Sequence, residues 1–162
     1  MDGTEEATRP PGCLAGTGEH LLVGILRHMA AAAPCPVVAR RLTEAFGEDA
    51  GEVSATLGAF LRALAYAGRR RLSVGHPGSI VLTRDEVQLL ALLAAAQAAE
   101  PAWLDAHLCW LAKSDRREPL ALAALALGTA LAAHGYRFSG APPPRPAIGF
   151  TAVRPESAAR LR

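Results

Sequence analysis

The sequence predicts an all-α fold: a compact orthogonal bundle of about six helices, with one small β-hairpin between helices three and four. Three observations carry this. The chain has 162 residues, enough for one core and too few for two. Alanine and leucine contribute 35 and 23 of them, a load of strong helix formers seldom met outside helical proteins. Apolar residues recur at helical spacing through the middle of the chain, interrupted by a single alternating stretch.

Residues 1–18 mix Gly, Thr, Pro and acids without a period, and residues 139–162 form a Pro/Arg-rich tail that includes Pro142, Pro143, Pro144 and Pro146. Proline at that density cannot sustain a helix, so both ends are expected to be disordered and a single helical domain to span 19–138. The P-x-x-P spacing of the tail favours a left-handed extended helix, although such segments most often serve as solvated spacers.

A first helix from Glu19 to about Ala33 places Leu22, Ile25, Leu26 and Met29 on one stripe and ends before Pro34. Cys35-Pro36 reads as the entrance of a second, with Val38, Leu42, Ala45 and Phe46 following and Gly47 ending it. Glu48 and Asp49 supply negative charge at the start of a third, whose stripe is Val53, Leu57, Phe60, Leu61 and Leu64 and whose C-cap is Gly68. Leu72 and Val74, then Ile80 and Leu82, alternate on either side of His76-Pro77-Gly78-Ser79, which predicts the hairpin. Thr83 and Glu86 have the spacing of a capping box, and leucines at 89, 90, 92 and 93 cover more than one face of helix four, which is therefore expected to be central. Pro101 opens a fifth helix to about Lys113, and Pro119 a sixth that stops at His134-Gly135.

The net charge of +2 is too balanced to imply a polyanionic partner, although residues 1–19 sum to −3 and residues 137–162 to +4. Sixteen of the seventeen cations are Arg, which beside the alanine load resembles a high-GC coding bias. Cys13, Cys35 and Cys109 are odd in number and widely spaced, which points to reduced thiols and a cytoplasmic location. The acidic N-terminus lacks the character of an export signal, and the uncharged stretch Leu120 to Ala133 is too short to span a bilayer.

Nucleophile elbows, phosphate loops, zinc-protease helices and dinucleotide fingerprints are all missing, and the carboxylates at 85 and 86 are explained by capping, so no enzyme, catalytic residue or cofactor is expected. His107 and Cys109 are two apart on a helix and point in different directions, so they cannot chelate one ion, and pairing His28 with Cys35 would span a helix break. Trp103, His107 and Trp110 fall at i, i+4 and i+7, which makes this stripe the candidate contact surface. The expected function is accordingly that of a small regulatory or adaptor protein acting through contacts with a protein partner or a second copy of itself. The alternative is a winged helix-turn-helix nucleic-acid binder, with Arg69, Arg70, Arg71 and Arg84 meeting phosphates around the hairpin. Against that alternative, the would-be reading helix opens with Glu48, Asp49 and Glu52 and carries Arg62 as its one cation. A thiol or metal sensor is the third reading. No membrane association is expected.

Overall fold

The computed structural model describes residues 16–31 and 35–139. The chain is mainly helical over these residues: α1 (Thr17–Ala31), α2 (Pro36–Phe46), a 3-10 turn at Gly47–Asp49, α3 (Ala50–Ala67), α4 (Arg84–Ala98), α5 (Pro101–Leu111), a second 3-10 turn at Ser114–Arg116 and α6 (Arg117–Ala133). The expectations for residues 1–15 and 140–162, the proline-rich tail and Cys13 among them, lie outside the described residues.

Punctuation residues set most helix boundaries. Pro36 and Pro101 occupy first turns, where a missing N–H loses no intrahelical bond. Gly47 closes α2 at φ +56° and Gly135 follows α6 at φ +81°, a region in which a Cβ would be strained. Thr83 caps α4: its hydroxyl accepts from the Glu86 N–H at 3.1 Å, and a Glu86 carboxylate oxygen accepts from the Thr83 N–H at 2.8 Å. Three limits differ from the sequence reading, one being the end of the fifth helix at Leu111 instead of near Lys113. The first helix starts at Thr17, ahead of Glu19, and the last starts at Arg117, two residues before Pro119.

α3 packs on α6, α6 on α4, and α4 on α5, while α1 and α2 close the other side. Phe60, Leu92, Leu93 and Leu120 are fully enclosed at the centre. Leucines 89, 90, 92 and 93 of α4 are all buried, as are Ala94, Ala95 and Ala96, so this helix is touched on several faces. Each such leucine contributes roughly 1.5–3 kcal/mol of transfer free energy. Met29, expected on the buried stripe of α1, is instead partly exposed.

The β-hairpin is not formed. Among the described residues there is no strand, and the one bridge joins Gly68 to Ala112, where the C-terminal ends of α3 and α5 meet. Residues 69–83 form an irregular loop, because side chains claim the backbone groups that a ladder would have used. The N–H of Ser73 donates to Asp85 Oδ2 at 2.6 Å, and that of Gly75 to Glu86 Oε1 at 3.0 Å. Arg27 of α1 donates to the carbonyls of Ser79 and Val81. Leu72, Val74 and Leu82 pack against the core, whereas Ile80, the fourth residue of the expected alternation, is 85% exposed.

Two clamps fix the end of the described chain. Gln97 donates to the carbonyls of Gly128 and Tyr136 and accepts from the Phe138 N–H, and Glu19 accepts from both the N–H and the hydroxyl of Ser139. No described helix is long and apolar enough to cross a membrane.

Candidate contact surface

The site is assembled around the N-terminus of α4. Arg27 and Glu86 form a two-pronged ion pair, with Nε to Oε1 at 2.7 Å and Nη2 to Oε2 at 2.8 Å, and both side chains are almost wholly buried. Burial pushes the Glu86 carboxyl up, but the Arg27 fork and the N–H groups of Thr83 and Gly75 outweigh it and hold the group below its ordinary range. Gly75 is needed because a Cβ there would lie 2.8 to 3.0 Å from the Arg27 guanidinium.

Asp85, next in the chain, is also buried, and it faces outward to Arg70 with Nη1 to Oδ2 at 2.8 Å and Nη2 to Oδ1 at 2.6 Å. The Arg70 hydrogen bonds lower its pKa most; burial opposes them and the Ser73 N–H assists. Capping thus explains only part of this carboxylate pair. Both also hold the loop to the helix.

Arg70 and Arg84 in turn lie over the ring of Trp110, with guanidinium carbons 5.9 and 4.9 Å from its centroid. The two features that the sequence presents separately, the α5 indole stripe and the arginines flanking the loop, therefore meet at Trp110. Trp110 is 42% exposed and Trp103 37%. His107 does not share their position. It is buried, with Nδ1 3.1 Å from Gln88 Oε1, and burial lowers its pKa, so it belongs to the α4–α5 packing beneath the surface.

The four arginines differ in what they are free to do. Arg69 donates through Nε to the Ala112 carbonyl at 2.8 Å, and Arg70 is held by Asp85. Arg71 and Arg84 are exposed and make no ion pair to a described carboxylate, and the same is true of Lys113 beside Arg69. Cys109 contacts Asp105 at 3.7 Å, and no three His, Cys, Asp or Glu side chains among the described residues are grouped as a metal ion requires.

The Arg27–Glu86 pair escaped the sequence reading. Its one trace is Arg27 at i+4 from Val23, a cation set among the buried positions of α1. A charge there needs a partner, but sequence alone does not point to one 59 residues away. No family model matches the chain, and neither a curated protein nor a solved structure matches it.

Proposed function

We propose that the protein is a non-enzymatic regulatory or adaptor module whose Trp110 face binds an acidic, apolar-bearing segment of a partner protein. The observation that carries this reading is the exposed indole flanked by two guanidinium groups. A large, stiff side chain held in place before binding loses little freedom on association, and Trp and Arg dominate the energetics of protein interfaces. Asp85 is already neutralised by Arg70, while Arg84, over the same indole, makes no ion pair with a described carboxylate and leaves the face positive. That charge favours a carboxylate-rich partner.

Nucleic-acid binding is the second reading, favoured by the same exposed Arg71 and Arg84 but with less support. Arg69 and Arg70 have acceptors within the protein, and the loop expected to form a wing is tied to α4.

A peptide series with Glu/Asp-rich flanks around a central Leu or Phe, titrated against the full chain while the Trp110 indole N–H is followed by NMR, tests the proposal. Saturable shifts are expected, with affinity at least tenfold weaker in both Trp110→Ala and Arg84→Ala and an unchanged helical circular dichroism signal. Loss of that signal in Trp110→Ala would assign the indole to the core. Absence of peptide binding, together with a salt-sensitive mobility shift of random duplex DNA that vanishes when Arg69, Arg70 and Arg71 become Ala, would replace this reading with the second.

A further inference from the structure

A cavity of about 140 Å³ opens on the side of α1 that faces α2 and the loop. Its lining is chemically one-sided. His20, Gly24, Arg27 and His28 come from one face of α1, Arg41 comes from α2, and Pro77, Gly78 and Ser79 come from the loop turn. Positions 20, 24, 27 and 28 share a face through their helical spacing. No carboxylate lines the cavity. Glu86 stands behind Arg27 and cancels that charge, so the active cation is Arg41, which makes no hydrogen bond or ion pair with a described residue.

Gly24 is a second feature of the same place. A Cβ on it would collide with Nη1 of Arg41, so the glycine lets the guanidinium lie against the α1 backbone at the cavity edge. His20 is oriented as well, its Nδ1–H donating to the Gly16 carbonyl at 3.0 Å, so that Nε2 offers a second N–H to a phosphate oxygen in the imidazolium form. The space greatly exceeds what one water molecule needs.

We infer that this cavity binds a phosphate group, as free phosphate or a small phosphate monoester, with Arg41 as its principal ligand and His20 and His28 as further contacts. A planar guanidinium matches two phosphate oxygens at once, and imidazole N–H groups can serve the remaining ones. The inference does not rest on the Trp110 face: Trp110, Arg70 and Arg84 do not line the cavity.

Inorganic phosphate and O-phosphoserine, titrated separately into the full chain at constant ionic strength with the imidazole resonances of His20 and His28 followed by NMR, provide the test. Saturable shifts are expected with at least one probe. Affinity should fall at least tenfold in Arg41→Ala and by less in Arg41→Lys, with circular dichroism unchanged because Arg41 is partly exposed. Tighter binding of phosphoserine would identify a monoester site, and tighter binding of phosphate a site for the free ion. Shifts that do not saturate, that sodium chloride reproduces, or that persist unaltered in Arg41→Ala would overturn the inference.

Discussion

Arg27 and Glu86 show how much one residue pair can determine here. Neither charge can stand in the interior alone, and together they consume four backbone groups of the loop besides each other. Arg27→Met strands a carboxylate in the core and is expected to lower unfolding free energy by about 3–5 kcal/mol in urea titrations. Adding Glu86→Gln should restore part of that loss. The amide needs no counter-charge, and its single carbonyl oxygen can still accept from Thr83 or from Gly75, which bond separate oxygens of the carboxylate. A second substitution that simply added its own loss would show the pair to be uncoupled.

At the level of elements, the helices were legible because their ends are written locally. Pro36, Gly47, Pro101, Gly135 and the Thr83–Glu86 box each act within a few residues of themselves. The loop was not legible. Alternating Leu72, Val74 and Leu82 looks the same whether the backbone pairs with another strand or merely packs every second side chain. What decides between the two is where the N–H groups find acceptors, and those acceptors lie on α4. The candidate surface was half legible for the same reason: spacing found Trp103 and Trp110 on one helix, but not that Arg70 and Arg84 would cover Trp110. Asp85→Asn is expected to speed hydrogen exchange at the Ser73 amide while leaving Gly75, bonded to Glu86, protected. Equal and alternating protection across 72–74 and 80–82 would instead reveal a strand pair.

For the molecule as a whole, the perturbed acids and the perturbed histidine act in one direction. Asp85, Glu86 and His107 all have pKa values below the ordinary 3.8, 4.5 and 6.5. The unfolded chain therefore binds more protons than the folded one wherever these groups titrate, so stability rises with pH through those ranges. Their contribution is complete above about pH 6.5. It declines first as His107 must be kept neutral against a more acidic solution, and then again below about pH 4.5 as the two carboxylates are protonated. The urea midpoint should accordingly fall between pH 7 and pH 5, and His107→Gln should flatten that part of the curve. An unchanged slope in the variant would assign the effect to other histidines.

Glu19 stands within the first turns of α1, yet it binds Ser139, so the first and last described residues sit at one corner of the bundle. A domain with such geometry needs only a narrow doorway in a host polypeptide. It can be spliced into a surface turn of another protein without prising the turn's two stems apart, and its helices would then hang from the host by a single two-stranded tether.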